Sequence, residues 1–320
     1  MTPSHPRGSS VDLDSPDRPF DNIINFRDIG RSINSILGKK VLKEGILYRS
    51  ARLDDASERD KRRLTEELRI STIIDLRSTT EHNMATTKRM TELGSTATPV
   101  GDEHLPELPG VRRALISLTG RAFERSLLWR LDWWNFFKVL AYVASGYRSD
   151  AILIVGEQVM TPRGLIGLGK DTLDSSTWEM KEIFDLFADY VDPDEQDSNE
   201  KEEGPHHTSS SYPVLVHCTQ GKDRTGLVVL LLLILTALVS EDAITADYVR
   251  SEPELVVEEE ERMKEIRKLG LGRDYTKCPP GFTAEIGKYL QERYGGVEGY
   301  LRYIGVQEEK LERIRKALLV

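Results

Sequence analysis

The feature that most constrains this chain is an apolar run from Leu227 to Val239, thirteen positions broken only by Thr236. It is short of the ~20 residues that cross a bilayer, so it reads as a buried helix. Directly before it stand a short apolar strand, Val214-Leu215-Val216, and a tight loop ending at Gly226. Buried strand, tight loop and buried helix in succession form a unit of an α/β core. The flanking sequence extends the pattern. Phe20 to Gly30 and Gly45 to Ser50 read as short strands around a turn, and Ser57 is placed to cap a helix through Leu64 and Leu68. The β-branched run from Ile70 to Leu76 reads as the next strand. Helical patterns follow at 244–250, 258–269, 282–294 and 307–319. The expected fold is a central, mostly parallel sheet flanked by helices, with a helical C-terminal part.

The segment from Ala122 to Tyr147 has helical length and apolar residues on almost every side, among them Trp129, Trp133, Trp134, Phe136 and Phe137. Core packing is the expected reading of such a helix, and a lid or lipid-facing element is the alternative. The first nineteen residues, with four prolines and several Ser and Asp, read as a disordered tail. Residues 192–211 read as a flexible acidic insertion within a single domain spanning 20–320. His206-His207 in that insertion lack spaced partners for a metal, so they read as solvated loop.

Lys and Arg total 44 against 53 Asp and Glu, a formal charge of −9. That balance argues against a nucleic-acid binder or a polybasic membrane anchor, and no transmembrane segment is expected. Any anionic ligand must be held by a local cluster of cations. Two cysteines, Cys218 and Cys278, build no disulfide framework and fit a reducing, cytoplasmic setting.

The local cluster lies in the loop itself, His217-Cys218-Thr219-Gln220-Gly221-Lys222-Asp223-Arg224-Thr225-Gly226. Backbone N–H groups in a loop that curls into a helix N-terminus converge on one centre, and the helix dipole adds partial positive charge there. Arg224 can clamp two oxygens of a phosphate in its planar fork, and Lys222 adds a point charge. The same field would stabilise a thiolate at Cys218, making it a nucleophile at neutral pH. A nucleotide-binding Walker loop is excluded, because Lys222 is followed by Asp223 and Val216 stands where its first Gly would be. Cys278, beside Lys277 alone, reads as structural.

This loop resembles the signature of cysteine-dependent phosphatases, and more narrowly the tyrosine phosphatase family typified by mycobacterial tyrosine phosphatase B. Further blocks resemble that family in order: Asn25-Phe26-Arg27-Asp28-Ile29-Gly30, Leu47-Tyr48-Arg49-Ser50-Ala51, Ile74-Asp75-Leu76-Arg77-Ser78 and Tyr294-Gly295-Gly296-Val297-Glu298-Gly299-Tyr300-Leu301. Arg31 departs from the pattern, where a second Gly is more usual. The resemblance implies a phosphatase fold and a metal-independent phosphomonoester hydrolase with no cofactor. It implies attack by Cys218, forming a phosphocysteine while Arg224 and the loop amides of Thr219, Gln220, Gly221, Lys222, Thr225 and Gly226 hold the equatorial oxygens. Thr225 is expected to hydrogen-bond the sulfur. Myotubularins and Sac-domain lipid phosphatases also place Asp directly before the Arg-Thr pair, which implies Asp223 as general acid, with Asp75 as the competitor. His217 is expected to orient the nucleophile, and Arg27, Asp28 and Arg49 to serve as rim groups. Arg77 reads either as a rim group or as a salt-bridge partner. The implied partner is a phosphorylated protein, most directly a phosphotyrosine protein; a phosphoinositide substrate or a non-catalytic phospho-ligand module are the alternatives.

Overall fold

The structure is a computed structural model that describes residues 19–92, 94, 104–189 and 211–320. The N-terminal tail up to residue 18, His206-His207 and all of the acidic insertion except Ser211 lie outside the described residues.

In chain order the elements are β1 (Arg27–Asp28), α1 (Ile29–Leu37), β2 (Leu47–Ser50), α2 (Glu58–Arg62), β3 (Thr72–Asp75), α3 (Thr79–Glu92), β4 (Arg112–Leu115), α4 (Arg121–Leu128), α5 (Trp133–Ala144), α6 (Arg148–Val155), α7 (Thr161–Ser175) and α8 (Thr177–Phe187). After the undescribed stretch come β5 (Val214–His217), α9 (Asp223–Leu235), α10 (Glu241–Val249), α11 (Ser251–Glu254), α12 (Glu259–Lys268), α13 (Phe282–Tyr294), α14 (Val297–Tyr303) and α15 (Glu308–Leu318). The sheet order is β1-β2-β5-β3-β4. Only β1 runs antiparallel; β2, β5, β3 and β4 are parallel. This is the mostly parallel α/β sheet expected from the sequence.

Parallel strands covered on both faces must be apolar throughout, and Val214, Leu215 and Val216 meet that demand. Successive side chains point to opposite faces. Val214 and Val216 join the main core with Ile74, Phe184, Leu230 and Leu231, while Leu215 and Ile73 join a second cluster with Phe20, Leu53 and Leu64. Leu227 to Leu235 of the apolar run form helix α9, which starts four residues earlier and is buried along nearly its whole length; the run's end is not helix, since Ala237 takes φ 57° and Leu238 is exposed. Ser57 caps α2 as expected, through a reciprocal capping box with Asp60.

Two expectations are corrected. The stretch 20–30 is not a strand of that length: β1 holds only two residues, and α1 begins at once because the Asp28 carboxylate caps it, accepting from the Arg31 N–H. The aromatic segment is neither one helix nor core. Asp132 caps a new helix by accepting from the Trp134 and Asn135 N–H groups, so the segment divides into α4 and α5. Only a narrow stripe of it turns inward, with Phe123, Leu127, Leu131 and Val139 in a satellite cluster shared with Ala151 and Leu168. Trp129, Trp133, Trp134 and Phe137 are 73%, 72%, 66% and 59% exposed.

By length and composition, one described helical stretch, Arg148–Ser175, is long and apolar enough to cross a membrane. In this fold it is bent at Gly164, whose φ of 59° leaves the helical region. It also packs against the loop after α12: a Cβ on Gly156 would fall 1.7 Å from the Leu269 carbonyl oxygen.

Candidate active site

The parallel strands bring their C-terminal ends to one edge, with Ser50, His217 and Asp75 in register. There β5 stops, Cys218–Lys222 form the loop, and α9 begins at Asp223 with its N-terminal dipole directed at the loop. The loop is tied down through its carbonyls. Arg52 donates its backbone N–H to the Thr219 carbonyl (3.1 Å), Asn25 Nδ2 donates to that of Gln220 (2.8 Å), and Arg49 Nη2 donates to that of Gly221 (2.7 Å). Carbonyl and N–H point oppositely across a trans peptide, so these anchors leave the N–H edges facing the other side. Gly221 is required by this turn: its φ is +65°, and a Cβ would lie 2.0 Å from the Ser50 carbonyl oxygen.

Arg49 and Arg27 lie beneath the loop, not on a rim, which corrects their expected role. Both grip Asp247: Arg49 Nη1 donates to it at 2.9 Å and Arg27 Nε at 2.8 Å, and Ser32 Oγ adds a third donor at 2.7 Å. Burial works against charge on Asp247, but the two guanidiniums hold its carboxyl well below the usual range. Burial and the neighbouring Arg27 push Arg49 down to about 10, still charged at neutral pH. Asp28 is likewise structural. It caps α1 and accepts the Gly45 N–H at 2.6 Å.

Asp247→Asn is therefore expected to cost about 3–5 kcal/mol of stability, because two buried guanidiniums lose their counter-charge. The pH dependence has a definite sign. A carboxyl depressed in the folded state contributes stability that is present above its unfolded value near ~3.9 and is lost as pH falls through the folded value. Urea midpoints measured from neutral to acid pH should fall more steeply for the native chain than for the variant.

Above the loop the cradle faces a cavity of about 700 Å³ lined by Thr219, Asp223, Arg224, Glu81, Phe123 and Leu127 among others. Arg224 is oriented by a carboxylate that motif reading missed. Its Nη1 and Nη2 donate to Glu81 Oε2 and Oε1, each at 2.6 Å, and Nη1 also reaches Thr119 Oγ1 at 3.3 Å. Thr219 Oγ1 donates to the same carboxylate. Burial opposes ionisation of Glu81, yet Arg224 and these hydrogen bonds hold its carboxyl well below the usual range. The pair occupies the end of the guanidinium fork, and the Nε edge makes no hydrogen bond among the described residues. Glu81 was legible only as the fourth member of a capping box: its carboxylate accepts from Ser78 N–H and Oγ, each at 2.9 Å, at the start of α3.

Glu81→Gln is expected to lower kcat by ~10–100-fold with little change in KM, since a guanidinium misplaced by about 1 Å stabilises the transition state poorly while the loop amides still bind. Steady-state kinetics separating the two constants checks this.

Asp75 is buried behind the loop. Arg77 Nη2 donates to it at 2.8 Å and Nε at 3.0 Å, while the other side of the Arg77 fork holds Asp54 at 2.6 Å. Arg77 is thus the salt-bridge partner. Burial would raise the Asp75 carboxyl, but His217, Arg77 and His82 hold it well below the usual range. So paired, Asp75 is not among the residues that line the cavity, whereas Asp223 is. His217 stands 3.5 Å from Asp75, and burial pushes the imidazole down to about 4, so the ring is neutral. Its Nδ1 donates to the Cys218 carbonyl at 3.3 Å. It orients the backbone of the nucleophile and not the sulfur.

Cys218 is buried at the base of the loop. Asp223 lines the cavity beside Arg224, with its side chain 31% exposed. Lys222 turns away: its ammonium donates to the Lys277 and Tyr275 carbonyls and lies 3.3 Å from Asp223 Oδ1. Its expected point charge on the phosphate is replaced by a clamp between the loop and the segment before α13. The expected Thr225 bond to sulfur is not made; its hydroxyl is buried and has no hydrogen-bond partner among the described residues. Burial pushes the Cys278 thiol up to about 11, although Lys222 and Arg49 act the other way. That fits its structural reading.

A cysteine at the end of a central parallel strand, under a loop whose amides open a helix and whose arginine is braced by a carboxylate, defines a cysteine-loop anion site. The sequence profile of the tyrosine phosphatase family matches residues 18–320, and the chain belongs to that family. Among curated relatives, the triple specificity protein phosphatase PtpB of Mycobacterium tuberculosis is 34% identical over 122 residues, covering 33% of this chain and 44% of that protein. A tyrosine-protein phosphatase of Nostoc commune is 33% identical over 124 residues, covering 33% of this chain and 38% of that protein. The match thus spans less than half of each relative's length.

Proposed function

We propose that the protein hydrolyses phosphomonoesters without a metal, through a phosphocysteine on Cys218, and that its substrate is phosphotyrosine in a protein. The observation that carries this reading is Arg224 held by Glu81 in the cavity wall, on the loop-to-helix turn that begins at Cys218, a nucleophile that a passive phosphate binder would not require. Cys218 Sγ attacks phosphorus as the bond to the leaving oxygen breaks; Asp223 supplies a proton to that oxygen, and water then cleaves the phosphocysteine. The loop amides and Arg224 hold the equatorial oxygens. The unpartnered Thr225 hydroxyl is a donor in reserve beside the sulfur's loop.

The cavity favours an aryl ester. Phe123, Leu127, Leu168 and Met84 give it apolar walls; of the lining cations, Arg52, Lys88 and Arg262 are paired with Glu258, Glu261 and Glu265, while Arg89 and Lys268 have no carboxylate partner among the described residues. A multiply phosphorylated inositol ring would draw on Arg89 and Lys268, which makes the phosphoinositide comparison the discriminating assay. Hydrolysis should persist in chelator, and a phosphotyrosine peptide should be turned over with higher kcat/KM than soluble phosphoinositides. Loss of activity in chelator, or the reverse preference, overturns the respective part of the reading.

A further inference from the structure

The outer face of α4–α6 is the largest departure from a well-buried domain. Along α5, Trp133, Phe137, Leu140 and Ala144 fall at spacings of four, three and four, so they share one face, and all are exposed. Trp129, Trp134, Val143 and Tyr147 widen the patch. Trp129 stacks on Phe136 at 5.6 Å, and Trp133 and Trp134 meet edge to face at 5.9 Å. Scattered apolar exposure needs no explanation, but a contiguous aromatic face does.

Charge distinguishes what could cover it. Between residues 121 and 152 stand Arg121, Arg125, Arg130, Lys138 and Arg148 against Glu124, Asp132 and Asp150, a balance of 5 − 3 = +2 in a chain of −9, leaving −11 for the rest. Arg130 is paired with the buried Asp171, so this apolar exposed surface carries a small positive excess in an acidic chain, and a second copy would bring the same sign of charge against it. Tryptophan and tyrosine with flanking Arg and Lys is the composition that suits the headgroup region of a bilayer, where rings reach the acyl boundary and cations reach phosphates. The adjoining stretch 148–175 is itself apolar enough for a bilayer.

We propose that this face docks the protein on an anionic lipid bilayer, lying in the interface without spanning it. α4 and α6 also contribute Phe123, Leu127 and Ile152 to the wall of the cavity over Arg224. Docking therefore fixes the site relative to the membrane and brings membrane-held phosphorylated substrates to it. The binding itself does not depend on the catalytic reading.

The test is co-sedimentation of the full chain with vesicles of phosphatidylcholine alone and of phosphatidylcholine with phosphatidylserine. The expected result is binding to the anionic vesicles that weakens with added salt. The triple variant Trp133→Ala, Trp134→Ala, Phe137→Ala should lower the partition coefficient by ~10-fold or more. These side chains are exposed and lie outside the cavity, so turnover of a soluble aryl phosphate should be unchanged, which also shows that the variant is folded. In a Trp178→Phe background, brominated lipid should quench the fluorescence of the remaining tryptophans. The proposal is overturned if the native chain stays in the supernatant with both vesicles, or if the triple variant binds as well as the native chain. It is equally overturned if the patch instead mediates a dimer that the triple variant abolishes and vesicles do not displace.

Discussion

Cys218→Ser is expected to reduce turnover of p-nitrophenyl phosphate by on the order of 10⁵-fold, as loss of a nucleophile does in enzymes that work through a covalent intermediate. The serine hydroxyl stays protonated at neutral pH and attacks phosphorus poorly. Among the described residues no hydrogen bond of the cradle is made to the sulfur. The loop is anchored through the carbonyls of Thr219, Gln220 and Gly221 by Arg52, Asn25 and Arg49, and Arg224 is oriented by Glu81. Inorganic phosphate should therefore still raise the thermal midpoint of the variant, as any ligand that binds only the folded state must. Retained turnover would exclude the covalent route. Lost phosphate binding would show that the sulfur holds the loop together.

The loop and its helix were legible because the constraint is local. A buried strand, a glycine at positive φ and an apolar helix lie consecutively, and each residue type answers to its own backbone position. The parallel sheet followed from apolar runs that no half-exposed strand would carry. What was not legible depends on partners distant in sequence. Asp247 lies 198 residues from Arg49, and only the fold makes it the counter-charge that keeps Arg49 under the loop instead of at a rim. Glu81 carries a complete local explanation as a cap of α3, which hides its grip on Arg224, 143 residues away. Lys222 reads as a phosphate ligand from its neighbours, yet the carbonyls at Tyr275 and Lys277, more than fifty residues on, take its ammonium. The aromatic segment misled for a different reason. Composition signals burial in something apolar, and it does not say whether that is the chain's own core.

Asp223→Asn is expected to separate substrates by their leaving groups. Asp223, on the first turn of α9 and partly exposed, lines the cavity with Arg224, whereas Asp75 is locked between Arg77 and the neutral His217 and does not line it. A general acid contributes ~10²–10⁴-fold where the departing oxygen is strongly basic and little where it leaves as a stable anion. An alkyl phosphate should therefore lose activity by that range in the variant, and p-nitrophenyl phosphate by far less. Asp223 also faces Lys222 at 3.3 Å and accepts from the Tyr248 hydroxyl at 3.4 Å, so a purely bracing role would produce another pattern. Loosening that brace would shift the loop and depress both substrates equally, because the cradle serves the phosphoryl group whatever leaves it. Asp75→Asn supplies the comparison: it should destabilise the fold through Arg77 and lower both rates together. Leaving-group dependence appearing at Asp75 instead would move the acid to the end of β3 and require the Arg77 pair to open during turnover.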